Sequence, residues 1–185
     1  MKTLVIAVHP ALHESRIHRR WLEELRRYPE EITISSLYEK YPDGVIDIAR
    51  EQRLAENHDR IVLQFPLYWF SSPPLLKQWL DEVLLEDWAY GKGIDLFASK
   101  TIGAAVSGGS QEDDYRREGR YRLDIHTLLS PLATTARYLE AGWEAPFVLY
   151  GAGSRMSDDE IARSAEAYAR HLLSYKINRS FASPN

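Results

Sequence analysis

Residues Thr3 to Val8 and Ile61 to Phe65 form two mostly apolar, β-branched runs with no regular polar alternation. A strand with one wet face alternates with period two, so these runs predict strands covered on both faces, as in a parallel sheet. Parallel strands need crossover connections, usually helices, and helical spacing fills the intervals. Ser15 stands where an N-cap belongs, ahead of Ile17, Trp21, Leu22 and Leu25, with Pro29 as a stop. Ile32 to Ile34 reads as a second, shorter strand and 46–57 as a charged helix. Pro73 and Pro74 open a helix carried by Leu75, Leu76, Trp79, Leu80 and Val83. Thr101 to Val106 predicts the fourth strand, closed by Gly108 and Gly109. Ile125, Leu128, Leu129, Leu132, Ala136 and Leu139 predict the next helix, with Pro131 bending it or marking its true start. Phe147 to Tyr150 predicts the last strand, and Ile161, Ala165, Tyr168, Leu172 and Tyr175 the last helix. Five strands alternating with five helices predict one doubly wound α/β domain over 1–178. Its sheet is five-stranded and parallel with helices on both faces, and a frayed tail follows at 179–185.

The chain has 185 residues, the size of one ordinary domain. Its 23 basic and 27 acidic residues leave a net charge of −4, which argues against a nucleic-acid partner, where a basic excess is expected. The absence of cysteine excludes disulfides, thiol nucleophiles, iron–sulfur ligation and cysteine-bound zinc. The aliphatic run at Leu4 to Val8 falls far short of the ~20 residues that span a bilayer, and no small-residue cleavage site follows it. A cytoplasmic protein is the expectation.

In open α/β sheets, ligands bind beyond the carboxyl ends of the strands, near the point where strand order reverses. Three loops meet that condition: His9 to His18, Pro66 to Ser72, and Ser107 to Tyr121. The first ends at a helix N-terminus, where free N–H groups and the helix dipole favour an anion such as phosphate. Ser15 caps that helix or donates to the phosphate, with Arg16 and His18 as further donors. The second loop runs Pro66, Leu67, Tyr68, Trp69, Phe70. Three consecutive aromatics cannot all face inward, and an aromatic wall suits a flat ring. The third begins Val106, Ser107, Gly108, Gly109, where two missing side chains let the backbone approach a ligand. Tyr115 and Tyr121 follow, each able to donate a phenolic hydrogen bond to a reacting oxygen or simply to anchor the loop.

Other chemistries find weaker support. No G-x-G-x-x-G follows the first strand and no phosphate loop of the G-x-x-x-x-G-K-[ST] type occurs. His9, His13 and His18 lie in and just after a loop without a nearby aspartate, so no metal site is expected. Ala105 replaces the first glycine that a serine nucleophile elbow at Ser107 would need. Glu112, Asp113 and Asp114 read as a solvated acidic turn.

Several motifs coincide: His9-Pro10 with Ser15, Tyr38 with Tyr41-Pro42-Asp43, Gln64 through Ser71, then Leu75-Leu76-Lys77 with Trp79-Leu80-Asp81. Trp88-Ala89-Tyr90-Gly91, Ser107-Gly108-Gly109 and Pro146-Phe147 complete the set. In this the chain resembles the flavodoxin-like NAD(P)H:quinone reductases over nearly its whole length. The nearest branch holds the bacterial general-stress oxidoreductases and the ancillary reductases of glutathione-gated potassium efflux. The resemblance implies a bound flavin, FMN by the habit of short bacterial forms with FAD as the larger alternative, and NAD(P)H as co-substrate. His9 and the segment Ser15, Arg16, Ile17, His18 would hold the phosphate and ribityl chain. Pro66, Leu67, Tyr68, Trp69 and Phe70 would form the wall of the ring, with Val106, Ser107, Gly108 and Gly109 closing its pyrimidine side. Backbone N–H groups there would stabilise the reduced ring in the manner of an oxyanion hole. Trp69 and Tyr115 would line the substrate slot, Tyr115 as the catalytic phenol. The family has Asn where His18 stands, which brings a titratable ring to that contact, and Thr where Val106 stands. A quinone-like acceptor and a homodimer are implied as well. A regulatory role on a membrane antiporter is the alternative function, with the charged segment 111–117 as its docking surface. An electron-carrier flavodoxin fits less well, because no concentrated acidic surface is present to steer basic partners.

Overall fold

The two apolar runs become the paired central strands of a parallel sheet. A computed structural model describes residues 1–153 and 155–174; Tyr175 and the tail expected at 179–185 lie outside the described residues. The first half contains β1 (Thr3–Ala7), α1 (Arg16–Leu25), β2 (Ile32–Ser36), α2 (Leu37–Lys40), α3 (Ile48–Glu56) and β3 (Arg60–Pro66). The second contains α4 (Pro74–Val83), β4 (Thr101–Ser107), α5 (Ile125–Leu128), α6 (Ser130–Tyr138), β5 (Gly142–Trp143), β6 (Phe147–Leu149) and α7 (Asp158–Ser174). Short 3-10 turns stand at Leu12–Glu14 and Glu112–Tyr115.

The strand order is β2-β1-β3-β4-β5, with β6 also on β4, and every pairing is parallel. The sheet turns its two faces to different cores because successive side chains point to opposite sides. Leu4, Ile6, Val8, Ile61, Leu63 and Phe65 face one core with Leu75, Leu76, Trp79 and Ala136 of α4 and α6. Val5, Ala7, Val62 and Ala105 face the other with Trp21, Leu22 and Leu25 of α1 and Tyr168 and Leu172 of α7. Burial on both faces is why β1 and β3 carry no alternation. The doubly wound five-strand plan stands.

Several local details differ from the sequence reading. The helix expected across Pro131 is two helices, and the proline sits in the first turn of α6, where its missing N–H costs nothing. The single turn α2 is too short to show a period. It is held by Tyr41 and Lys40, which donate to the buried Glu51 carboxylate at 2.9 and 3.3 Å. Trp79 of α4 donates to the same carboxylate at 3.1 Å, so one acid ties together three segments.

The fifth strand is interrupted. Gly142 and Trp143 pair with Thr101 and Ile102, and Phe147 to Leu149 pair with Ala105 to Ser107. Glu144, Ala145 and Pro146 therefore oppose only Gly103 and Ala104, a bulge of one residue. At the bulge Glu144 turns inward over Gly103 and accepts from Arg60 Nε and Nη2 at 3.0 and 2.6 Å, with both residues buried. The third guanidinium nitrogen of Arg60, Nη1, donates to the carbonyl of Leu172 at 2.7 Å, which fastens α7 to the foot of β3.

Candidate functional site

Strand order reverses between β1 and β3, and a cleft of about 380 Å³ opens beyond their carboxyl ends and that of β4. Its floor begins with the start of α1. Ser15 caps the helix by accepting from the His18 N–H at 3.1 Å, leaving the first-turn N–H groups of Arg16 and Ile17 without helical acceptors and directed at the cleft they line. The Arg16 guanidinium is committed elsewhere, to Asp158 at 2.6 Å at the exposed head of α7.

Two imidazoles stand behind that helix start, their ring centroids 5.2 Å apart. His9 Nδ1 accepts from the Ala11 N–H at 3.2 Å, and burial lowers its pKa. A neutral ring that accepts at Nδ1 carries its proton on Nε2, so His9 offers an N–H. His18 is buried, and burial, with His9 as the lesser cause, holds it down to about 3. The titration expected for His18 near neutral pH is therefore absent, because a buried ring has no water to solvate its cation. Its Nε2 lies 2.8 Å from Ser107 Oγ and its Nδ1 3.3 Å from Gln64 Nε2.

The loop after β3 makes the opposite wall. Tyr68 and Ser71 exchange backbone bonds of 2.9 and 3.0 Å across Trp69 and Phe70. Both central residues have left-handed backbones, φ 48° and 63°, the conformation of a type I′ turn. Glycine or asparagine normally fills such positions; a large aromatic there costs on the order of 1–3 kcal/mol. Tyr68, Trp69 and Phe70 are 42%, 93% and 40% exposed, so all three stay out of the core. Phe70 packs edge-on against Tyr121 at 4.8 Å, and the Tyr121 hydroxyl lies 2.6 Å from Ser110 Oγ. The turn is thus braced by the loop that follows β4.

The structure brings His9, Ser15, Arg16, Ile17, His18, Pro66, Leu67, Tyr68, Ser107 and Gly109 into the cleft lining. Trp69 and Phe70 stand at its rim on the turn, and Val106 is buried in β4 beneath it. Gly108 faces inward instead, with a Cβ placed there falling 3.0 Å from the Tyr115 hydroxyl. Tyr115 fills that space as a buried prop against Tyr121 and Tyr150 and does not line the cleft. The missing side chain of Gly108 makes room for a ring below the loop.

Sequence reasoning missed the loop after β6. Ala152, Gly153, Met156 and Ile161 line the cleft, as does Glu14. Ala152 and Gly153 donate to the carbonyls of Gly108 and Gly109 at 2.9 and 3.0 Å, and a side chain on Gly153 would strike Gly109 O at 2.8 Å. The available signal was Gly151-Ala152-Gly153 directly after a predicted strand, a position the strand-end rule covers.

A five-stranded parallel sheet in this order, with a donor-lined cleft at its switch point, defines the flavodoxin-like class. The family model for the flavodoxin-like fold matches residues 1–172, and the chain belongs to that family. It is similar to a general stress protein 14 of Treponema denticola solved in complex with FMN: 41% identity, 94% of this chain, 99% of that one and a TM-score of 0.90. It is 42% identical to YrkL of Bacillus subtilis, named an NAD(P)H oxidoreductase, over 93% of this chain and 98% of the relative. An NADPH-quinone reductase structure from P. pentosaceus matches at 26% identity and a TM-score of 0.85, covering 95% of this chain and all of that one. Among the described residues no helix is long and apolar enough to cross a membrane.

Proposed function

We propose that this chain is an FMN-dependent NAD(P)H oxidoreductase that delivers hydride to a quinone or a similarly flat acceptor, donor and acceptor using one slot in turn. One observation carries the reading: a cleft with anion donors at one end is walled at the other by an aromatic turn held in a strained backbone. The residues fit the group. The N–H groups of Arg16 and Ile17, the Ser15 hydroxyl and the His9 Nε2–H suit a phosphate, all neutral donors that keep their hydrogens at pH 7. The loops after β4 and β6, tied by backbone bonds, let main chain approach a ring edge where side chains would block it. Pro66, Leu67 and Tyr68 supply the wall against which a ring lies.

FMN, when bound, supplies two-electron hydride chemistry. The protein positions the partners. Trp69 and Phe70 offer flat apolar surface at the rim for a nicotinamide and then for the acceptor, which forces the two to alternate. The Gly109 backbone N–H, in the cleft lining, would face negative charge on the ring edge, whereas the Gly108 N–H is already given to the Leu149 carbonyl at 2.8 Å. The half-buried Tyr121 phenol touches Phe70 of the rim and Ser110, whereas Tyr115 is buried. A homodimer is part of the proposal, supported by Trp69, which at 93% exposure gains cover for the slot from a second copy.

The relatives named above carry an FMN complex, an NAD(P)H oxidoreductase name and a quinone reductase name, one for each part of the reading. The test is an absorption spectrum of purified protein before and after FMN, then after anaerobic NADPH or NADH, then after menadione. Flavin bands that bleach with the nucleotide and return with menadione are expected. Protein that retains no flavin, or reduced flavin that menadione leaves bleached, overturns the proposal.

A further inference from the structure

Gln64, on β3, is outside the cleft lining but touches a residue within it. Its amide nitrogen faces His18 Nδ1 at 3.3 Å, and His18 Nε2 faces Ser107 Oγ at 2.8 Å. Gln64, His18 and Ser107 are all buried, so water does not compete for these bonds and each carries more weight than a surface one. The His18 ring is neutral, so it has one N–H and one lone pair. With the Gln64 N–H donating to Nδ1, that one proton is on Nε2 and donates to Ser107 Oγ. The hydrogen of Ser107 is then free of His18 and available to the cleft that Ser107 lines.

We propose that Gln64 and His18 form a hydrogen-bond relay that fixes Ser107 as a donor toward the bound cofactor, so that both are positioning residues. The inference rests on the flavin reading. Reversed, the chain of bonds would consume the Ser107 hydrogen on His18 and turn only lone pairs to the cleft. The other end of the cleft is lined by donors as well, and a ligand rich in phosphate and carbonyl oxygens needs them. Gln64 Oε1 accepts no hydrogen bond although it is buried, so the structure leaves this acceptor unmet while the nitrogen is aimed at His18.

The experiment is a mutant cycle read by FMN affinity, measured as quenching of flavin fluorescence, on the full chain. Gln64→Leu is expected to weaken FMN roughly three- to tenfold, the worth of one hydrogen bond, although Gln64 does not line the cleft. Ser107→Ala is expected to weaken it by a similar factor. The double variant is expected to match Ser107→Ala alone, because the relay has nothing left to orient. His18→Gln, whose amide nitrogen reaches the former Nε2 position, is expected to keep near wild-type affinity, whereas His18→Asn, which reaches only the Nδ1 position, is expected to fall with His18→Leu. Losses that multiply in the double variant, or His18→Gln as weak as His18→Leu, overturn the relay. Wild-type protein that takes up no FMN overturns the relay and the flavin reading together; wild-type that binds FMN with multiplying losses overturns the relay alone. Urea unfolding of each apo variant identifies any loss that reflects folding, and a loss of FMN affinity in Gln64→Leu that only follows its loss of stability also overturns the relay.

Discussion

His18 makes the apo protein sensitive to mild acid, and the size of the effect follows from its burial. In the unfolded chain a histidine takes a proton near 6.5; in the fold His18 refuses one until about pH 3. Above 6.5 neither state is protonated, and His18 contributes no pH dependence. Between 6.5 and about 3 the unfolded state binds a proton that the native state excludes, so stability falls as pH falls. The slope is about 1.4 kcal/mol per pH unit for one group, and the interval from 6.5 to 5.0 gives roughly 2 kcal/mol. His9 and His171, both lowered chiefly by burial, act in the same direction, while Glu144, raised by burial, acts in the opposite one. All three are common to wild type and His18→Gln, so they cancel in the difference. Urea midpoints followed by tryptophan fluorescence at pH 7.5 and 5.0 are the assay. Wild type is expected to lose about 2 kcal/mol more than His18→Gln across that interval. Equal losses in the two proteins would refute the claim that His18 is kept neutral by the fold.

Trp69→Gly is expected to stabilise the apo protein by about 1 kcal/mol in urea unfolding, since glycine adopts φ 48° without strain. It should also lower turnover with menadione by removing the rim of the slot. Ser15→Ala is expected to cost about 1 kcal/mol of stability as a lost cap and to weaken FMN in the same fluorescence titration. Gly103→Ala places a Cβ within the Glu144 carboxylate and is expected to destabilise by on the order of 3 kcal/mol, read as a lower thermal midpoint with FMN stoichiometry unchanged in the folded fraction.

The sheet was legible because its two central strands are buried on both faces and so carry short, β-branched apolar runs such as Leu4 to Val8. Of the helices of nine or more residues, α1, α4, α6 and α7 were legible from periodic apolar faces and α3 only as a charged stretch. Elements of one turn or two residues were not: α2 and β5 exist because Glu51 and β4 hold them, and that support comes from far along the chain. In the site, Ser15 and the aromatic turn were readable from cap chemistry and from three rings in succession. Tyr115 was misplaced because the sequence shows two phenols in one loop without showing which turns inward. Gly108 decides that by leaving a hole for it. His18 looked titratable because local sequence carries no record of Trp21 and Ser107 enclosing the ring.

The broken fifth strand has a consequence for how copies of this protein meet one another. A sheet edge is a template for adding strands, and proteins blunt theirs with short segments, bulges, prolines and inward charges. The β5–β6 edge combines all four: pieces of two and three residues, a bulge, Pro146, and Glu144 turned beneath the sheet. The opposite edge, β2, is an unbroken five-residue strand. Strand addition between copies is therefore blocked at one margin of the sheet, and among the described residues β2 alone offers a regular ladder for it.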